Sequence, residues 1–246
     1  MVKMIGVVVV AMLTASAVSA AEKTVKQTFT SGGKTRTYYL FVPERAISNA
    51  PAPLLVLLHG SGRNGLSLVE QWEGLASKEG LILAGPDSTN SQMWQTLQDG
   101  PDFIHDLVEM LRAARRIDPR RIYLFGHSAG AIHALGLSLL ESEYFAAAAI
   151  HAGALPEAEH AWADVATRKI PLAMWVGTDD PLFPVPAVRA TRDFLNKQGF
   201  SVELTEIKGH THNYYVRAGE INKSVWEFLQ KQLLDADPKY QPHQFR

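Results

Sequence analysis

The sequence predicts an α/β fold: a mostly parallel, twisted sheet with helices on both faces and an antiparallel hairpin at its amino-terminal edge. Three observations carry this. Short apolar runs of strand length alternate with longer segments whose apolar residues recur at helical spacing. The runs over 54–58 and 81–84 are hydrophobic throughout, as strands covered on both faces are. The first two segments instead alternate polar and apolar residues around Ser31-Gly32-Gly33, the pattern of a hairpin with one wet face.

The elements follow in order. Residues 24–30 and 35–42 form the hairpin, and a connection containing proline and alanine, 43–53, leads to a buried strand over 54–58. A helix is predicted over 67–78, with Leu68, Trp72 and Leu75 on one face. Strand 81–84 precedes a helix over 101–116, whose Pro101 suits a first helical turn. Strand 121–125 runs into a helix over 129–140. An alanine-rich strand over 145–150 and a strand over 172–176 come next. A helix over 187–198 is closed by Gly199, followed by strand 202–207 and a last helix over 221–234. The tail from Asp235, with two prolines and several charges, reads as loose. Strands alternating with helices imply the layered parallel sheet.

Composition bounds the function. The 246 residues are 46 % hydrophobic and 20 % charged, with a net charge of −1, so a single cored domain is expected and disorder is not. Nothing in that balance points to nucleic acid or an acidic membrane surface. The chain has no cysteine, which removes thiolate catalysis and internal disulfides. At the amino terminus, Lys3 precedes an apolar stretch over 4–13, and small residues end in Val18-Ser19-Ala20. This reads as a secretory signal over residues 1–20, cleaved after Ala20, with 21–246 as one catalytic domain. The apolar run falls short of the roughly 20 residues that span a bilayer. The expected location is therefore the periplasm or outside the cell, with no stable membrane anchor after cleavage.

Gly126-His127-Ser128-Ala129-Gly130 fits G-x-S-x-G, with a strand directly before it and a helix directly after. That context identifies the nucleophile elbow of an α/β-hydrolase fold. A strand turning abruptly into a helix strains its corner residue, and glycines two places either side remove side chains that would clash. Ser128 is thereby lifted clear of the backbone, and the helix amino terminus aims amides at the same point. The base is not expected to be His127, since adjacent residues on a sharp turn point apart. His133 and His151 read as structural. For the oxyanion of acyl transfer, one expected donor is the amide of Ala129; the loop His59-Gly60-Ser61-Gly62 resembles the His-Gly loops of lipases and esterases, which implies the amide of Ser61 as the second, with Gly62 the next choice. His59 reads as a brace for that loop.

In this fold the acid and then the base follow the serine. Strand 172–176 leads into Thr178-Asp179-Asp180-Pro181, and strand 202–207 into Gly209-His210-Thr211-His212, both at strand ends where open α/β sheets place their sites. The imidazole would take the serine proton and return it to the leaving alkoxide, so activity should rise as the imidazole loses its own proton. The carboxylate would fix the tautomer. From these residues alone, Asp179 and Asp180 both remain open as the acid, and His210 and His212 both remain open as the base.

On these motifs the chain resembles the esterases grouped with polyhydroxybutyrate depolymerases and feruloyl esterases, with some similarity to S-formylglutathione hydrolases, over about residues 35–234. The resemblance implies Asp180, in a Gly-Thr-x-Asp-Pro stretch, as acid, and His212, in His212-Asn213-Tyr214-Tyr215, as base. It also implies a pocket-lining role for Trp94, although Trp94 reads equally well as a loop anchor, and Tyr214 and Tyr215 are both expected to line the pocket beside His212. The chain departs from the pattern in having Ser61-Gly62 where depolymerases carry a cysteine, and Gly130-Ala131 where many have two glycines. No polymer-binding module follows, so soluble esters are expected: hydroxyalkanoate oligomers, acyl-sugars or aryl esters.

The expected activity is carboxylic ester hydrolysis through an acyl-enzyme on a small-molecule or oligomeric ester, with no cofactor and no protein partner implied. A serine peptidase of the same fold and a non-catalytic binder that kept it are the alternatives. His210-x-His212 could begin a zinc site, but no third ligand stands at a recognisable spacing, and no metal is expected.

Overall fold

The computed structural model describes residues 22–48 and 50–243, so the signal expected over residues 1–20 lies outside the described residues. Eight strands form one sheet in the order β1-β2-β4-β3-β5-β6-β7-β8. β1 (Val25–Ser31) and β2 (Lys34–Phe41) are the antiparallel hairpin, and β2 also runs antiparallel to β4 (Ile82–Pro86). β3 (Ala52–Leu58), β5 (Ile117–His127), β6 (Ala147–His151), β7 (Leu172–Gly177) and β8 (Val202–Ile207) are parallel to β4 and to one another.

The helices are α1 (Glu44–Ser48), α2 (Gly65–Glu79), α3 (Thr96–Asp99), α4 (Pro101–Ala114), α5 (Ala129–Leu140), α6 (Trp162–Val165), α7 (Val185–Lys197) and α8 (Ala218–Leu229). The short helices α1, α3 and α6 are not legible as amphipathic periods and were not expected. Asn64 starts α2 by accepting the Ser67 amide, and Gly80 ends it in the left-handed conformation (φ 72°).

Two buried layers flank the sheet because alternate residues of each strand point to opposite faces. Leu54, Val56, Leu58, Leu124 and Ile150 join α4 and α5 on one side; Leu55, Leu57, Phe125, Ala149 and Trp175 join α2 and α8 on the other. The buried-strand reading of 54–58 and 81–84 holds: every residue of β3 and β4 is buried.

Two expectations are corrected. α8 begins at Ala218 and stops at Leu229, earlier at both ends than read. The tail is not loose as far as residue 243. Tyr240 stacks on His105, with ring centroids 3.8 Å apart, and the Lys239 ammonium lies 3.0 Å from Glu143. A tail rich in proline and charge still docks where an aromatic ring finds a partner. Among the described residues, no helix is long and apolar enough to cross a membrane.

Candidate active site

β5 delivers Ser128 to the carboxyl end of the sheet, and α5 departs from it. Ser128 has φ 57° and ψ −120°, a conformation rarely adopted by a residue with a side chain. The surroundings enforce it. The Ser128 amide donates to the His151 carbonyl at 3.0 Å, and its own carbonyl accepts from Ala131 and Ile132 at 2.9 and 3.2 Å. A Cβ on Gly126 would lie 2.1 Å from the Gly130 carbonyl oxygen, and one on Gly130 would lie 2.0 Å from that of Leu58. Only glycine fits either place, as the motif requires.

The serine hydroxyl lies 2.9 Å from His212 Nε2, and His212 Nδ1 lies 2.9 Å from Asp180 Oδ2. The carboxylate is itself fixed: Asp180 Oδ1 accepts the amides of Leu182 and Phe183 at 2.8 and 2.9 Å, and its side chain is fully buried. With Asp180 accepting from Nδ1–H, Nε2 is left as the acceptor for the serine proton. Ser128, Asp180 and His212 are thus brought together. Their rivals point elsewhere. Asp179 is exposed and accepts from Thr178 Oγ1, and His210 is buried with its Nε2 3.3 Å from His151 Nε2. The two histidines of the His-x-His stretch therefore address different partners, and among the described residues no three metal-ligating side chains converge.

The two expected oxyanion donors belong to α5 and to the loop that follows β3. Ala129 opens α5, so its amide has no partner within the helix. Gly60 lies so close that a Cβ there would be 3.3 Å from Ser128 Cβ, and Ser61 is the next residue of that loop. Neither amide donates to another described residue. The second choice, Gly62, is occupied, donating to the Ser91 carbonyl at 2.7 Å. His59 braces the loop: its Nδ1 donates to the Gly60 carbonyl at 2.9 Å and its Nε2 accepts the Ser88 amide at 3.2 Å. Burial holds its pKa below the ordinary imidazole value, which suits that neutral form.

Two hollows border the elbow, one at Ser128 and the other at Ala129. A groove of about 380 Å³ is bordered by Ser61, Arg63, Leu182, His212, Asn213 and Tyr215. A narrower cavity of about 120 Å³ runs from Ala129 beside α5, walled by Trp94 and Trp162. Trp94 anchors its loop. Its Nε1 donates to the His59 carbonyl at 2.8 Å, its ring stacks on His133, and it still borders the cavity. Tyr214 corrects the reading. It is completely buried against Phe125 and His127, with its hydroxyl bonded to Asn222, and it does not border the groove. At the tight turn over Tyr214–Val216 the two rings meet edge to face, with centroids 5.3 Å apart, and Tyr215 borders the groove under the Arg63 guanidinium.

Behind the serine, His127, His151 and His210 form a buried chain, with His127 Nδ1 3.0 Å from His151 Nδ1. Burial, together with the neighbouring imidazoles, pushes His127 down to about 3 and His151 well below the ordinary value. These rings are neutral packing for the elbow. His133, expected to be structural, donates its Nε2–H to the Asp99 carbonyl at 2.8 Å. Sequence reading missed the buried Arg36–Asp99 pair at 2.6 Å, which ties the hairpin to the loop carrying Trp94. Its one sequence signal is a charge at an inward position of an alternating strand.

A family model described as phospholipase/carboxylesterase matches residues 84–233. The chain belongs to that family. NocK of Nocardia uniformis subsp. tsuyamanensis, an esterase by name, is 34 % identical over 175 residues, which is 62 % of this chain and 47 % of NocK. The chain thus spans about half the length of that relative. Among solved structures, a thermostable esterase superposes with TM-score 0.68 at 24 % identity, over 85 % of this chain and 63 % of that one. A ferulic acid esterase gives TM-score 0.71 at 15 % identity, over 85 % and 98 %. At such identities these two likenesses establish the α/β-hydrolase fold, which family membership already implies, and nothing finer.

Proposed function

We propose that this protein hydrolyses carboxylic esters through an acyl-enzyme on Ser128, with His212 as base and Asp180 as its orienting acid. The observation that carries the reading is the unbroken line Ser128 Oγ, His212, Asp180, with 2.9 Å at each hydrogen bond, at an elbow whose strained corner is the serine.

In the first half-reaction His212 Nε2 takes the Ser128 proton as Oγ bonds to the ester carbonyl carbon. The amides of Ser61 and Ala129 hold the resulting oxyanion, a donor of this kind being worth about 10²–10³ in turnover. His212 then passes that proton to the alcohol oxygen as its bond to carbon breaks. Water repeats the sequence, giving its proton to His212, and the acid and free serine are restored. Because His212 must reach the departing oxygen, the alcohol leaves through the groove that His212 borders, and the acyl part lies on the Ala129 side. Soluble esters, including hydroxyalkanoate oligomers, acyl-sugars and aryl esters, are the proposed class. The reading of Lys3 to Ala20 as an export signal proposes that this happens in the periplasm or outside the cell.

The test is hydrolysis of p-nitrophenyl butyrate by the wild type and by Ser128→Ala. The variant is expected to lose about 10³-fold or more in kcat while keeping its fold by circular dichroism. Comparable turnover in the two proteins removes Ser128 from the chemistry.

A further inference from the structure

The buried run of three histidines behind the serine packs the elbow, but its hydrogen bonds also have a direction, and that direction ends in the groove. His127 Nδ1 lies 3.0 Å from His151 Nδ1, and His151 Nε2 lies 3.3 Å from His210 Nε2. Burial opposes a second proton on each ring, so all three are neutral. A neutral imidazole carries one N–H and one bare nitrogen. The His151 backbone also lies within hydrogen-bonding reach of the His127 ring, and a carbonyl oxygen only accepts. The proton between the first two rings therefore belongs to His127 Nδ1. His151 Nδ1 accepts it, so the proton of His151 sits on Nε2 and is donated to His210 Nε2. His127 Nε2 is left bare.

That bare nitrogen faces the reaction. The two nitrogens of an imidazole diverge, so with Nδ1 turned in to buried His151 the Nε2 edge is turned out. His127 borders the groove together with Gly60, Ser61, Ser128 and His212. Its Cδ2, the ring neighbour of Nε2, would lie 3.3 Å from a Cβ on Gly60. Nε2 bonds to no other described residue. The ring is held in this pose by its neighbours, with centroids 5.5 Å from Tyr214 and 5.0 Å from His212. Packing alone would be served as well by a ring with no nitrogen on that edge.

We infer that His127 Nε2 holds the water that frees the acyl-enzyme, accepting the hydrogen that His212 does not take. The inference rests on the esterase reading of Ser128. In the second half-reaction the water oxygen bonds to the acyl carbon, and one of its hydrogens passes to His212 Nε2 as a proton. That proton goes on to Ser128 Oγ as the bond from Oγ to carbon breaks. The second hydrogen stays on the water oxygen, becomes the hydroxyl of the product acid, and is held by His127 Nε2 throughout. Two acceptors at fixed positions aim the oxygen lone pair at the carbon. An alcohol in the same place has carbon where water has that second hydrogen. His127 therefore acts on the water step and not on the departure of the alcohol.

The experiment is a competition for the acyl-enzyme. p-Nitrophenyl butyrate is turned over in buffer containing methanol, and butyric acid and methyl butyrate are measured by gas chromatography for wild type, His127→Asn and His127→Gln. Methanol also gives its proton to His212 but has no second hydrogen for His127. The ratio of acid to methyl ester is taken within each protein, so it does not depend on how much of a variant is folded. Asparagine puts its amide where Nδ1 was, keeps a donor toward His151, and presents nothing at Nε2. Its ratio should fall about 2- to 10-fold, the range for one neutral hydrogen bond. Glutamine reaches the Nε2 position with an acceptor oxygen and should hold the ratio near that of the wild type. An unchanged ratio in His127→Asn, or a fall in His127→Gln as large as the one expected for asparagine, overturns the assignment, so each variant can refute it alone. Turnover lost in Ser128→Ala would then still stand for the esterase reading. If the wild type converts the substrate to neither product, the esterase reading fails and takes this inference with it.

Discussion

His212 is held from both sides, by a buried carboxylate at Nδ1 and by the serine at Nε2, and this two-sided grip separates it from its neighbour His210. His212→Ala is expected to lower kcat for p-nitrophenyl esters by about 10³-fold or more, while His210→Ala changes it far less per folded molecule. The opposite ranking would reassign the base. The residue scale is also where sequence reading was least complete. Ser128 was legible because its role requires glycines at fixed offsets, which few other structures demand. Asp180 over Asp179, and His212 over His210, came from resemblance, because neighbours in a loop differ only in where the backbone aims them. The same gap misplaced Tyr214: nothing in Tyr214-Tyr215 says which ring a tight turn buries.

At the scale of the element, the elbow depends on two glycines whose absent side chains let β5, α5 and β3 touch through backbone alone. Gly130→Ala would drive a methyl group into the Leu58 and His59 carbonyls, at 2.0 and 2.7 Å. A loss of about 3 kcal/mol or more is expected, the upper range for overpacking, together with loss of activity. Gly74→Ala is the control. It lies on the exposed face of α2 with nothing within 4 Å, so it should stabilise by about 0.5–1 kcal/mol. Urea denaturation of both variants measures this, and equal effects would mean that the elbow tolerates a Cβ. β3, β7 and α5 were legible because their burial is total or their flanks are marked. The helices α1, α3 and α6 were not, since four or five residues are too few to show a period of 3.6.

For the whole molecule, buried neutral histidines make stability depend on pH. Burial pushes His127 down to about 3 and His133 to about 4, from an ordinary value of 6.5. Below pH 6.5 the unfolded chain takes up protons that these two folded imidazoles refuse, so their contribution, whole above that pH, is lost as pH falls toward the folded values. Each costs about 1 kcal/mol per pH unit in that window. His133→Gln, which keeps a donor for the Asp99 carbonyl, should therefore flatten the decline in unfolding free energy between pH 6.5 and 4.5. Parallel curves for variant and wild type would contradict it. The mostly parallel sheet and the hairpin edge were legible at this scale, because alternation of strand and helix constrains topology strongly. The docking of Tyr240 on His105 was not, because a tail's contacts are set by a surface that only the folded chain presents.

The most direct test of the central claim is covalent. A fluorophosphonate should label the folded protein once, with the adduct on Ser128 by peptide mass spectrometry, and labelling should fall sharply in His212→Ala, where the hydroxyl keeps its place but loses the acceptor for its proton. An adduct on another residue, or labelling of the His212 variant as fast as the wild type, would contradict the account.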